Sequence, residues 1–164
     1  MAESNGNAAG SGTVSLRSVF SADCFLTIDK GTEKPAAIRQ LTELLAATGR
    51  LPASEVDPVV DALIEREQLG TTAIGKGLAI PHLRTEAVAE SVGAVGVAPE
   101  GIEFESLDGL PTRLVLLLLS PPKGRQRHSE ILRRIARLLC DRTLQYRVQI
   151  PRKPEELLSF LGFD

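Results

Sequence analysis

Apolar residues recur at three- and four-residue spacing through Ala37, Ile38, Leu41, Leu44 and Leu45, which predicts a helix over 35–48 with Gly49 as its C-terminal cap. A second stripe, Val56, Val59, Val60, Leu63 and Ile64, predicts a helix that begins at a capping arrangement in Ser54-Glu55-Val56-Asp57 and stops at Gly70. Pro58 falls in its first turn, where a missing N–H removes no intrahelical bond. The pattern then shortens. Residues 78–80, 92–97, 102–104 and 112–119 are runs of β-branched and apolar residues, each expected to be a strand, with Asp108-Gly109 as the turn before the last. That last run is apolar on both faces, as a central strand covered on both sides must be. After Pro121-Pro122-Lys123-Gly124, Ile131, Leu132, Ile135, Leu138 and Leu139 oppose Arg133, Arg134 and Arg137 on a third amphipathic helix, and a final helix is expected over 154–161. Residues 14–28 are mixed in pattern, and Phe25, Leu26 and Ile28 are expected to carry that segment into the core. Helices, then strands, then helices around one continuous apolar strand imply an α/β fold, a three-layer α/β/α sandwich with a mixed, partly antiparallel central sheet.

Composition narrows the picture. A chain of 164 residues, 43% hydrophobic and 24% charged, suits one domain with an ordinary core, expected to span 14–164. Residues 1–13 are mostly Gly, Ser, Asn and Ala with little to bury, so they are expected to form a flexible tail. The net charge of -2 gives no global field to hold a polyanion, so no nucleic-acid partner is expected. Cys24 and Cys140 lie far apart and in no C-x-x-C pair, which suits a reducing cytosol. The N-terminus has no basic region followed by an apolar one, and residues 114–119 fall well short of the roughly 20 needed to span a bilayer, so a cytoplasmic protein without membrane insertion is expected.

The stretch from Glu65 to His82 holds the chemistry: three glycines, two threonines and a lysine lead into a short apolar strand that ends in Pro81-His82. A histidine just past a strand end, restrained by the preceding proline, can be held facing a cleft. Neutral imidazole can attack phosphorus while its other ring nitrogen is fixed by a hydrogen bond. Alternatively, His82 packs or satisfies a backbone carbonyl. Arg66 and Arg84 could bracket phosphate charge, and Thr71 and Thr72 could donate to its oxygens; each could equally be an ordinary surface residue. Gly70, Gly75 and Gly77 make no P-loop, since Lys76 is followed by glycine, and at least two of them are expected to permit positive φ in a tight connection. His128 sits near the start of the Ile131 helix, where the dipole disfavours imidazolium and favours anions, or it is a solvated first-turn residue. One histidine ends a strand and the other opens a helix after the central strand, so a compact α/β fold could bring both to one sheet edge. No spacing suggests a metal site, and the basic residues 123–137 read as a solvated helix face able to meet an acidic or phosphorylated partner.

Glu65-Arg66-Glu67, followed by Thr72, Gly75, Gly77 and Leu78-Ala79-Ile80-Pro81-His82, resembles the active-site motif of type-2 enzyme IIA domains, the fructose and mannitol class of the bacterial phosphotransferase system (PTS). Ile102-Glu103-Phe104, Leu107-Asp108-Gly109, residues 113–122 and His128 with its helix resemble the later part of the same domain, so the likeness runs from about residue 25 to the C-terminus. As a free-standing domain, the chain is similar to the IIA-like nitrogen-regulatory proteins. The resemblance implies that His82 accepts a phosphoryl group from the phosphocarrier HPr or a nitrogen-branch relative, then passes it to an EIIB domain or holds it as a signal to a regulatory protein. It implies phosphate-assisting roles for Arg66 and His128 and a mixed sheet between helical layers; the transfer itself is expected to need neither cofactor nor metal. One position departs from the pattern: a small residue, commonly glycine, usually follows the active histidine, and here it is Leu83. Its bulk is expected either to restrict docking of the donor or to mark a branch that uses the fold as a regulatory binding module.

Overall fold

The structure, a computed structural model, describes residues 14–138, 141–147, 153–161 and 163. The expected tail over 1–13, Cys140 and Leu139 lie outside the described residues, as does the side chain of Leu138. The organising element is a strand, Thr112–Ser120 (β6), buried along its whole length except at Arg113. Six consecutive apolar residues leave it no face to offer water, and each buried leucine contributes roughly 1.5–3 kcal/mol when covered. Five strands precede it in the chain: Phe25–Thr27 (β1), Ala73–Gly75 (β2), Leu78–Ala79 (β3), His82–Arg84 (β4) and Val92–Ile102 (β5). The sheet runs β1-β5-β6-β3-β2, with β4 also on β6. β5 is antiparallel to β6, while β1 on β5, and β3 and β4 on β6, are parallel, so the sheet is mixed.

β3 and β4 are one line of chain interrupted once. Leu78 pairs with Leu114 and His82 with Leu118, the same offset on β6, and the Pro81 carbonyl between them accepts the Leu118 N–H at 2.9 Å. Helices cover both faces. Lys34–Ala47 (α2) and Val56–Gln68 (α3) bury Ile38, Leu41, Leu45, Val59 and Leu63 against Ala79, Val115, Leu117 and Leu119. On the other face, Leu16–Val19 (α1), Arg125–Leu138 (α4) and Pro154–Phe160 (α6) pack on Leu78, Ile80, Leu114, Leu116 and Leu118. A further short helix, Arg142–Arg147 (α5), lies between α4 and α6 in the chain. Phe20 and Phe163 stack there with centroids 5.3 Å apart. Gly93 lets Phe20 lie on the sheet: a Cβ at that position would fall 2.1 Å from the ring.

Three expectations are corrected. The strands expected at 92–97 and 102–104 are one, β5, whose register on β6 shifts between Val97 and Ile102; a bulge carrying Gly101 at φ +78 absorbs the extra residues, and Phe104 is buried beyond the strand end. Ser54 does not cap α3. It lies in a 3-10 turn, Ala53–Glu55, whose Ala53 carbonyl accepts the Val56 N–H, so backbone serves where a side-chain oxygen was expected. The strand expected over 78–80 stops at Ala79: the Ile80 N–H bonds the Thr72 carbonyl on the β2 side at 3.1 Å, and Pro81, the next position facing β6, has no N–H to continue the ladder.

Candidate active site

Alternation along β4 decides which way the nucleophile candidate faces. Leu78 and Ile80 pack on the α4 side, and His82 continues that phase, while Leu83 packs into the cluster under α2 and α3. The bulk of Leu83 therefore sits on the opposite side of the sheet from the imidazole, which corrects the expectation that it restricts docking there. His82 is half-buried, and its Nδ1 lies 2.7 Å from the Ile80 carbonyl. A carbonyl only accepts, so Nδ1 carries the proton and Nε2 presents its lone pair. Pro81 holds the link short and stiff.

His128 comes from the first turns of α4, where its N–H bonds the Gly124 carbonyl at 3.1 Å. Its ring centroid is 5.6 Å from that of His82, with the planes tilted 50°. It is only 8% exposed, and its Nδ1 is buried with no hydrogen-bond partner among the described residues. Burial holds both histidines below the ordinary value; Arg66 adds to the effect at His82, and His82 and Arg84 add to it at His128. The Ile80 carbonyl and the Glu67 carboxylate oppose the shift at His82 without reversing it. Two neutral imidazoles therefore face each other between cationic side chains, an arrangement suited to attack on, and reception of, an anionic group.

Arg66 occupies the last turn of α3, half-buried, with Nη1 donating to the Gly70 carbonyl at 3.1 Å. Arg84 is exposed at the end of β4. The threonine hydroxyls expected to meet phosphate are engaged elsewhere: Thr71 donates to the Phe104 carbonyl and accepts the Ala73 N–H, both at 3.1 Å, and Thr72 donates to Glu67. Gly75 and Gly77 take φ +112 and +80 in the turn between β2 and β3, the conformational role expected of two glycines there. Sequence reasoning assigned nothing to Glu67. The residue is only 7% exposed, and its carboxylate pairs with Lys34 Nζ at 2.7 Å and accepts the Thr72 N–H at 3.1 Å. The signal was present, since Val60, Leu63 and Glu67 stand at i, i+3 and i+7 on the buried stripe of α3.

The family described as "Phosphoenolpyruvate-dependent sugar phosphotransferase system, EIIA 2" matches residues 18–162. The chain belongs to this family. Among its relatives, a nitrogen regulatory protein of Bradyrhizobium diazoefficiens is 38% identical over 122 residues, covering 74% of this chain and 80% of that one. The 2-O-alpha-mannosyl-D-glycerate-specific EIIABC component of Escherichia coli is 36% identical over 132 residues, covering 79% of this chain but only 20% of that protein. The crystal structure of nitrogen regulatory protein IIA-Ntr from Neisseria meningitidis superposes with a TM-score of 0.78 at 26% identity, covering 89% of this chain and 98% of that one. The type-2 EIIA resemblance and the mixed-sheet α/β fold expected from sequence are both borne out. Membership of the type-2 EIIA family and the nitrogen-regulatory relatives support a phosphocarrier or regulatory role among partners of the phosphotransferase system. Among the described residues, no helix is long and apolar enough to cross a membrane.

Proposed function

We propose that this type-2 EIIA chain is a phosphoryl carrier that takes the group on His82 Nε2 from a phosphorylated HPr-like donor and then passes it to an EIIB domain or holds it as a signal to a regulatory protein. The observation that carries this reading is the 2.7 Å contact between His82 Nδ1 and the Ile80 carbonyl, which leaves the other nitrogen of a neutral ring unprotonated beside His128 and Arg66. The Nε2 lone pair attacks phosphorus in line. The P–N bond of the donor phosphohistidine breaks, and its electron pair returns to the donor ring nitrogen. The proton on Nδ1 stays, and its hydrogen bond to Ile80 strengthens as the ring gains positive character. Charge on the equatorial oxygens of a loose transition state is met by Arg66 and by an N–H of His128, with Arg84 at the rim. Thr71 and Thr72 act by holding the loop. Exchange of one phosphohistidine for another is close to balanced, so the direction follows partner supply. The opposite-face packing of Leu83 supports retained phosphorylation, since its bulk lies away from the imidazole.

Incubation with phosphoenolpyruvate, enzyme I and HPr is expected to add one acid-labile phosphoryl group, measured by intact mass and absent in His82→Ala. Full labelling of His82→Ala would move the site elsewhere. The regulatory reading is favoured by the nitrogen-regulatory relatives. Under it, His82→Asp and His82→Ala should capture different partners; identical partners would leave the relay alone.

A further inference from the structure

Glu67 is a buried carboxylate that the transfer chemistry does not use. It sits at the end of α3, where Lys34 from the first turn of α2 pairs with it at 2.7 Å. The Lys34 ammonium also lies 5.0 Å from the centroid of the buried Phe104 ring and 3.5 Å from Glu105, which is exposed. Buried ion pairs are costly to assemble and costly to break on one side, so stability alone is a weak reason to keep one. What this pair holds is more specific. The carboxylate takes both donors of Thr72, its N–H at 3.1 Å and its hydroxyl. The Thr72 carbonyl in turn accepts the Ile80 N–H at 3.1 Å, and the Ile80 carbonyl accepts His82 Nδ1–H at 2.7 Å.

Residue 80 therefore has both of its backbone polar groups fixed at the one break in the β3-β4 line, where Pro81 offers β6 no N–H. The peptide group between Ile80 and Pro81 has no N–H, so nothing on its own nitrogen can anchor it to a neighbour. Its orientation depends on the tethers either side, the Pro81 carbonyl on Leu118 and the Ile80 N–H on Thr72. We propose that Lys34 and Glu67 form a positioning pair that fixes the tautomer and aim of His82 through Thr72 and Ile80. This rests on His82 Nε2 being the phosphoryl acceptor. The Glu67 charge is also felt at His82, where it favours the protonated ring, as it would favour the positive character that the ring gains during attack. If the tether at Thr72 loosens, the Ile80 carbonyl no longer selects Nδ1–H, and the ring populates the tautomer with its proton on the attacking nitrogen.

The test uses the full chain with Glu67→Gln combined with Lys34→Met, so that neither member leaves an unpaired buried charge and the methionine still covers Phe104. Thr72→Val, which removes one of the two bonds to the carboxylate and keeps the ion pair, is the second variant. Nitrogen-15 shifts of the unphosphorylated protein report the His82 tautomer, and quench-flow reports acceptance from phosphorylated HPr. The double variant is expected to melt cooperatively, to show a mixed His82 tautomer, and to accept phosphoryl on the order of tenfold more slowly. Thr72→Val is expected to shift the tautomer in the same direction by less. A wild-type tautomer in either folded variant overturns the proposal, whether or not the rate falls, because a general structural loss would slow transfer without moving the ring proton. A shifted tautomer in a protein that takes no phosphoryl group even as wild type would uphold the positioning pair and refute the relay.

Discussion

The clearest test of the site geometry is truncation of Leu83, the residue that the sequence sets beside His82, the candidate nucleophile, and the fold turns away from it. Leu83 is half-buried against the cluster beneath α2 and α3, on the side of β6 opposite His82. A fully buried leucine loses about 2–5 kcal/mol on truncation to alanine, and a half-buried one about half of that, so Leu83→Ala should cost about 1–2.5 kcal/mol. In a chain of this length each kcal/mol moves Tm by roughly 2–4 °C, which sets the expected drop at about 2–10 °C. Leu83→Gly should add up to about 1 kcal/mol more, because glycine in a strand gives up backbone entropy. Acceptance from phosphorylated HPr should stay within about twofold of wild type in the alanine variant. If the side chain instead obstructed the donor, relief of a clash worth about 1.4 kcal/mol would raise kcat/KM tenfold. Scanning calorimetry and quench-flow on the same preparations separate the two cases. A tenfold faster acceptance with an unchanged Tm would refute the assignment of Leu83 to the opposite face.

Both histidines are held below the ordinary value of 6.5, and this has a signed consequence. The unfolded chain binds these protons at a higher pH than the native state does, so their contribution to stability is intact above about pH 6.5 and declines as pH falls toward the native values. The acceptance rate should hold its plateau to a pH below 6.5, with Arg66, Glu67, His128 and the Ile80 carbonyl as the groups acting on His82; a proton-NMR midpoint at or above 6.5 would contradict this. Arg66→Gln should slow acceptance by about 100-fold with little change in Tm, measured by quench-flow; a loss under threefold would remove Arg66 from the transition state. Gly93→Ala should destabilise by about 1–3 kcal/mol, since its methyl falls 2.1 Å from Phe20, and a chemical-denaturation midpoint equal to wild type would show that the ring moves freely.

How much of this was readable in advance depended on whether a local period existed. The stripes of α2 and α3 and the unbroken apolar run of β6 carry their own signal, and the expected bounds lie within a residue or two of the observed ends, while for α4 the stripe through Ile131 and Ile135 shows the helix and its buried face but not its start at Arg125. β2 and β4 are three residues long, too short for any period, and they are strands only because β3 and β6 supply ladders for them. The runs 92–97 and 102–104 are separate in the sequence because residues 98–101, with Pro99, Glu100 and Gly101, interrupt the apolar pattern, whereas in the sheet they form a bulge within a continuing strand. His82 was legible from Pro81 and the strand end. Its approach to His128 was available only as topology, and the 5.6 Å separation needed the packing of α4. Glu67 was missed because a carboxylate on a helix reads as surface, although its place on the stripe pointed inward. Thr71 and Thr72 were given hydroxyl roles from residue type alone, and only the fold shows those hydroxyls already bonded.

The shared offset of β3 and β4 on β6 makes the location of the His82 ring a matter of parity. Insertion or deletion of one residue at the break by Ile80 and Pro81 would leave hydrophobic content almost untouched while rotating position 82 into the compartment beneath α2 and α3. A descendant of this chain could thus keep its outline and lose its chemistry through a single codon, whereas two-residue changes at the same point would preserve the handedness of presentation.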